Sequence, residues 1–408
     1  MPSDPATSPL ALVLSGGGAR GAYEVGVLRY VLGELVPQLG PTALPRIFCG
    51  TSVGAINACA VAASSESSDF GVHRLRERWL SLRLDDIFKL GWGDLAALAR
   101  WMFGSARTDG PRSLLDATPL AELVRQVIPW RGLHSAVSAG RVHGVTVSAT
   151  DVESGHTVVF VESASELILR SSDRALEWVP ARLTPMHALA SAAIPIVFPT
   201  VRVAGRLYSD GSVRQNTPLS PALRLGAGRV LVVGLRAAAA PTPPRLERQD
   251  EEVQQTYSSP LFLFGKLLDA LLLDRVENDL ANLRQVNAAL QALQRLSPLA
   301  IGQEPVALAM EAAGGSLRPV RDLFIRPSVD LGKLAAEVLK RPAVRGRLAG
   351  PAGYLLRRLG EDATASNPSD LLSYLLFDDE YAHDLMALGE HDARQLSGEL
   401  ERFLQNKN

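Results

Sequence analysis

Ser52 stands between glycines in Gly50-Thr51-Ser52-Val53-Gly54, and upstream lies a second glycine-rich element, Gly16-Gly17-Gly18-Ala19-Arg20-Gly21. A serine held on a sharp turn between a strand and a helix is presented as a nucleophile, its hydroxyl exposed at the positive end of the helix. Gly50 and Gly54 would tolerate the strained dihedrals of that turn and let strand and helix approach closely. The N–H groups of Gly16, Gly17 and Gly18, unshielded by side chains and near a helix start, can converge on an anion. In acyl transfer that anion is the tetrahedral oxyanion, where losing one donor costs about 2.7–4 kcal/mol of barrier. Arg20, with Gly21 beside it, either anchors this loop or meets a phosphate of the substrate.

A nucleophilic serine needs a base. The alternating stretch Arg202 to Asp210 reads as a hairpin ending at Asp210-Gly211-Ser212. An aspartate at a strand end, followed by glycine, can turn its carboxylate into a cleft. By itself, Asp-Gly is more often a turn whose aspartate satisfies its own backbone.

The elements that must hold these residues are legible as apolar patterns. Leu10–Ser15 reads as a strand, and Tyr23–Leu35 as a helix with Val25, Leu28, Val31, Leu32 and Leu35 on one face. Ile47–Gly50 is a short buried strand. Val53–Ala63, apolar or small except for Asn57, is a tightly packed helix. His73 to Trp130 is largely helical with glycine interruptions, including a threonine-capped helix over Thr118–Ile128. Strands return at Arg141–Ala149, Thr157–Val161, Arg229–Leu235 and Asp322–Arg326. This alternation predicts one main α/β domain.

Four stretches in this order, GGGARG, GTSVG, ALASAAIPIVFP (Ala188–Pro199) and YSDGSVRQNTP (Tyr208–Pro218), give the chain a resemblance to the patatin-like phospholipase family. The resemblance implies a three-layer α/β sandwich with a mostly parallel central sheet. It implies a dyad without histidine, Ser52 as nucleophile and Asp210 as base, and lipid esters as substrate class. The family's aspartate motif continues with glycine and then glycine or alanine. Here the third residue is Ser212, which adds a hydroxyl near the base. The resemblance thins after about residue 235, although DRVENDLANLRQVN and SYLLFDDEYAHDLMALGEHDA still look like later parts of bacterial patatin-like chains. The organisation expected is a flexible 1–9, a catalytic core over 10–235 with a helical cap-like insertion at about 70–135, and a loop or linker at 236–260. A mainly helical part over 261–408 follows, with a late strand near 322–326. In it Leu268, Leu272, Arg275, Val276 and Asp279 fall at helical spacing and suggest a helix packed on the sheet.

A solvated aspartate, with a pKa of about 3.9, is a poor base at pH 7. Burial would raise that value, and a direct hydrogen bond to serine would add positional advantage.

Other readings of the same residues fare less well. GGGARG also fits a dinucleotide fingerprint, but the acidic residue that should end a second strand is missing, since Glu34 falls inside the first helix. An α/β-hydrolase triad would need a late histidine. His383 and His391 lie in a charged helical stretch and read as surface, and His187 reads as a packed or capping residue. His73, His134, His143 and His156 form no spaced ligand set, so neither metal nor cofactor is expected. A non-catalytic lipid-binding or regulatory protein stays open, with the C-terminal helices as an interaction surface. Acyl transfer to an alcohol would use the same residues as hydrolysis.

Composition narrows the partners. A net charge of −1 offers no global attraction to nucleic acid. Cys49 and Cys59 bracket Ser52 and read as buried neutral thiols, in keeping with a reducing compartment. The N-terminus carries no basic residue before Leu10, and no run of 18 apolar residues occurs, so a cytoplasmic protein touching membranes from the surface is expected. Two segments could make that contact. GWGDLAALARWMFG (Gly91–Gly104) aligns Trp92, Leu95, Ala99 and Met102, with Leu98 and Trp101 adjoining, though such a stripe is more often core. KRPAVRGR with Arg357 and Arg358 is a basic cluster suited to anionic headgroups.

Overall fold

Strands buried on both faces read as unbroken apolar runs, and the runs of this chain line up side by side. The computed structural model describes residues 9–87, 89–93, 116–164, 175–195, 197–238, 276–300, 319–361 and 370–406. Most of the expected linker lies outside them, as do the stripe beyond Gly93 and Leu268, Leu272 and Arg275. The strands are β1 (Leu10–Leu14), β2 (Pro45–Thr51), β3 (Gly144–Asp151), β4 (Thr157–Ser163), β5 (Leu176–Pro180), β6 (Val201–Val203), β7 (Arg206–Asp210), β8 (Arg229–Val233) and β9 (Arg321–Ile325). They form one sheet in the order β5-β4-β3-β2-β1-β8-β9, with β7 paired to β3 and β6 to β7. Pairing is parallel from β3 through β2, β1 and β8 to β9, and antiparallel where β3 meets β4 and β7.

Alternation along β1 explains the layers. Leu10, Leu12 and Leu14 join the core formed with helices α1 (Gly21–Tyr30) and α2 (Val53–Ala63). Ala11 and Val13 face the other way, toward Leu219 and Ala222 and toward Val276 and Leu280 of a long helix. A three-layer α/β/α sandwich results, with α1 and α2 springing from the carboxyl ends of β1 and β2. Two boundaries differ from the sequence reading. α1 starts at Gly21 and passes through a π turn at Val31–Leu35 into Val36–Leu39. Thr118 is the first residue of its helix (Thr118–Val127) and not its cap. The Asp116 carboxylate accepts from both its N–H and its hydroxyl, at 2.9 and 2.6 Å.

The C-terminal helices pack against the same layer as α1. α3 (Asp379–Gln395) crosses α1, where Tyr23 Oη donates to Asp392 Oδ2 (3.0 Å) and Arg29 grips the Glu390 carboxylate. A Cβ on Gly26 would be driven into the Met386 carbonyl, and one on Gly389 into the Tyr23 carbonyl, so the two helices meet backbone to backbone. Buried Arg229 of β8 donates to the carbonyls of Phe403 and Thr42, at 3.1 and 2.8 Å, and to that of Leu404. A cation thus sits at the negative end of the helix Ser397–Leu404.

Part of the basic cluster is paired within the chain. Arg341 pairs with Glu380 and Asp384, Arg347 with Asp378 and Asp379, and Arg357 donates to the Leu348 carbonyl. Arg341 and Arg347 tie a short helix to the acidic start of α3, while Lys340 and Arg345 of the same cluster are exposed. Cys49 and Cys59 are buried free thiols. Burial pushes Cys49 up to about 12 and Cys59 higher still. Among the described residues, no helix is long and apolar enough to cross a membrane.

Candidate active site

Sheet register brings Ser52 and Asp210 together. β4 occupies one edge of β3 from Gly144 to Thr150. On the other edge β2 pairs with β3 as far as Thr51 opposite Ser148, and β7 takes over with Asp210 opposite Ala149. The end of β2 and the end of β7 therefore abut. Ser52, the next residue after β2, donates its hydroxyl to Asp210 Oδ2 at 2.7 Å.

Ser52 has φ 54 and ψ −125, a conformation that a side chain rarely adopts and that stores on the order of 1–3 kcal/mol. The surroundings hold it there. Its N–H donates to Ser191 Oγ (2.8 Å), which in turn donates to the Ser148 carbonyl (2.6 Å). Gly50 and Gly54 lie where β2 and α2 touch. A Cβ on Gly54 would sit 2.5 Å from the Leu14 carbonyl oxygen, and one on Gly50 would strike the Gly54 carbonyl. Ser52 is the N-cap of α2 but makes no cap bond, so its hydroxyl is committed to Asp210 at the helix's positive end.

Asp210 is almost fully buried. Burial pushes its carboxyl up to about 6, while hydrogen bonds from Ser212 and Ser52 pull the other way. Oδ1 accepts from the Ser212 N–H at 2.7 Å. The backbone is held on both sides, its N–H by the Ala193 carbonyl (2.8 Å) and its carbonyl by Thr150 Oγ1 (2.9 Å). A Cβ on Gly211 would strike the Ser148 carbonyl.

The glycine loop runs beside Ser52. Gly16 donates its N–H to the Asn216 carbonyl at 3.1 Å, and a side chain there would collide with Ser212 Oγ and Asn216 Oδ1. Gly18, at φ 55, lines the cavity next to Ser52. Arg20 is buried, its Nε donating to Ser373 Oγ (2.8 Å) and its guanidinium lying 4.1 Å from the Tyr374 ring centroid. In this structure it ties the loop to the C-terminal helices. A Cβ on Gly21 would sit 2.5 Å from Val53 Cγ2. Close by, buried Asn57 donates to Glu24 Oε2 (2.8 Å) and accepts from Trp79 Nε1 (3.1 Å). Burial holds the Glu24 carboxyl well above the usual carboxylate range. His187 caps its own short helix through Thr184 and packs edge-on against Phe160, and His383 is exposed.

Ser191, Asn57 and Trp79 were not singled out as site residues by sequence reasoning. Ser191 lies inside the quoted ALASAAIPIVFP stretch, where a small polar residue among alanines gives no sign of its partner. Ser191→Ala strands the Ser52 N–H in a buried position. It is expected to lower stability by about 1–3 kcal/mol, read as a shifted urea midpoint at unchanged m-value.

A sandwich of this kind, with a strained serine and a buried aspartate bonded at the carboxyl end of its sheet, defines an α/β protein built around a serine elbow. The model of the patatin-like phospholipases matches residues 12–223, more than half of the 408-residue chain. The chain belongs to the patatin-like phospholipase family, which at family level supports a lipid acyl hydrolase. No curated protein matches it in sequence. Among solved structures it is similar to VipD from Legionella pneumophila (11% identity, TM-score 0.29, covering 93% of this chain and 67% of that one). It is also similar to human GIVD cytosolic phospholipase A2 in complex with a methyl gamma-linolenyl fluorophosphonate inhibitor and terbium chloride (13% identity, TM-score 0.41). That alignment covers all of this chain and 60% of the human one.

Proposed function

We propose that this protein is a serine lipid acyl hydrolase, of phospholipase A, lysophospholipase or esterase type, acting through Ser52 and Asp210. The observation that carries the reading is the 2.7 Å hydrogen bond from Ser52 Oγ to a buried carboxylate, beside a cavity lined almost wholly by apolar side chains. Ser52 Oγ attacks the ester carbonyl as Asp210 Oδ2 takes its proton. Gly16 has its N–H engaged, so Gly17 and Gly18 are assigned the oxyanion. Collapse of the tetrahedral intermediate expels the alcohol with the proton from Asp210. Water, deprotonated by Asp210, then attacks the acyl-enzyme, and the returning proton restores Ser52. A carboxyl displaced upward by burial is a far better base than a solvated one, and the direct bond fixes its geometry.

The test exposes the protein to a fluorophosphonate probe and locates the adduct by mass spectrometry. Labelling at Ser52 is expected, with loss in Ser52→Ala and a strong decrease in Asp210→Asn. An intact fold that leaves Ser52 unlabelled in the presence of lipid vesicles would overturn the reading in favour of a binding protein.

A further inference from the structure

The cavity beside Ser52 encloses about 670 Å³ including its open mouth, and two parts of the chain far apart in sequence wall it. The core contributes Trp79, Leu82, Leu120 and Phe198. The other wall is Tyr374, Leu375 and Phe377, at and just after the helix Asp370–Leu375. With so few polar atoms facing it, this space suits hydrocarbon better than a headgroup.

The far wall is held at both ends. Upstream of Phe377, the Tyr374 ring lies under the buried Arg20 guanidinium, and the Tyr374 carbonyl packs where Gly18 lacks a side chain. Downstream, buried Asp378 accepts from the Glu380 N–H at the start of α3 and pairs with Arg347 at 2.8 Å. Between these anchors Phe377 stacks on Trp79, with ring centroids 6.3 Å apart and planes inclined by 19°. Trp79 is fixed in turn by its bond to Asn57, itself bonded to Glu24. Phe377 is only partly buried, whereas Trp79 is almost fully so. The stack therefore has one immobile plate from the core and one plate supplied by the C-terminal segment.

We propose that Phe377 is a specificity-determining residue that limits the length and bulk of the acyl chain accepted beside Ser52, which makes the C-terminal segment part of the acyl site. This rests on the acyl-hydrolase reading above. Removing the ring opens the wall, while enlarging it narrows the cavity. Differences of one or a few methylenes in an apolar pocket change kcat/KM by about tenfold or more.

The experiment compares wild type, Phe377→Ala and Phe377→Trp on a series of p-nitrophenyl esters from butyryl to palmitoyl. A small fluorophosphonate serves as a measure of Ser52 reactivity independent of chain length. The alanine variant is expected to raise the palmitoyl-to-butyryl ratio of kcat/KM about tenfold and the tryptophan variant to lower it, both with labelling rates within about twofold of wild type. If wild-type Ser52 labels and hydrolyses esters but the ratio is the same in all three proteins, the specificity role is overturned while the hydrolase reading stands. Wild-type Ser52 that neither labels nor hydrolyses removes both. Phe377→Leu carries the comparison if the alanine variant loses its cooperative melt.

Discussion

Asp210→Asn is expected to be more stable than wild type at pH 8 and, at the same pH, to lose nearly all activity. The carboxyl of Asp210 is displaced by burial from 3.8 to about 6, which corresponds to roughly 3 kcal/mol in favour of its protonated form. Between these values the folded protein keeps a proton that the unfolded chain has already released. Stability therefore falls as pH rises through that window, and the full cost is present above about pH 6. Asparagine has no charge to bury. Its carbonyl oxygen can still accept from the Ser212 N–H, and its amide can donate toward Ser52 Oγ. The stability difference should approach 3 kcal/mol at pH 8 and vanish near pH 4. Urea denaturation of both proteins across this range measures it directly. Equal stabilities at pH 8 would mean that Asp210 carries no burial cost, which removes the physical basis for a strengthened base. Activity of the wild type should rise with pH and level off above about 6, and loss of the base should cost about 10²–10⁴-fold. On the proposed mechanism, function would rest on a group that weakens the fold.

Substitution of alanine for Gly26 or Gly389 is expected to cost more than about 3 kcal/mol each, because the added methyl would strike a carbonyl of the facing helix and not a movable side chain. Both act on the one crossing of α1 and α3, so the double variant should lose less than the sum. Gly33→Ala is the matched control. Nothing lies within 4 Å of its Cβ position, and the alanine should stabilise by about 0.4–1 kcal/mol by restricting the unfolded chain. Calorimetric melts of the four variants beside wild type decide it. A Gly389→Ala variant melting with wild type would mean that the helices are not in backbone contact.

The sequence made local geometry readable and left long-range register hidden. Val53–Ala63 is read to the residue because a small-to-apolar run, interrupted only by Asn57, after a glycine turn has one sensible conformation. Ser52 between Gly50 and Gly54 likewise announces a strained turn. The meeting of Ser52 with Asp210 could not be derived from pattern, since it depends on β7 taking over the edge of β3 where β2 ends. Only the motif order, through the family resemblance, pointed to the pair. Arg20 had two readings because its partners, Ser373 and Tyr374, lie more than 350 positions away. β5 went unseen because Leu176–Pro180 mixes half-buried and polar residues, as befits an edge strand. The pairing of Arg341 and Arg347 within KRPAVRGR was hidden for the same reason that Arg20 was ambiguous. Charge patterning along a chain does not show which distant carboxylates fold back onto it.

The crossing of α1 and α3 also sets an order of events during synthesis. Arg29 and Glu390 are 361 positions apart, and closing that span carries an entropy cost that local contacts do not. Ser52 and the glycine loop leave the ribosome early, but the face of α1 that meets α3 and the cavity beside Ser52 wait for Tyr374, Phe377 and α3, more than 300 positions further along. A nascent chain interrupted before residue 370 would expose apolar surface around its serine and have no finished cavity in which to hold an acyl group. Closure of the cavity therefore waits for the segment that carries Tyr374 and Phe377, and chains cut before it are candidates for aggregation and chaperone binding.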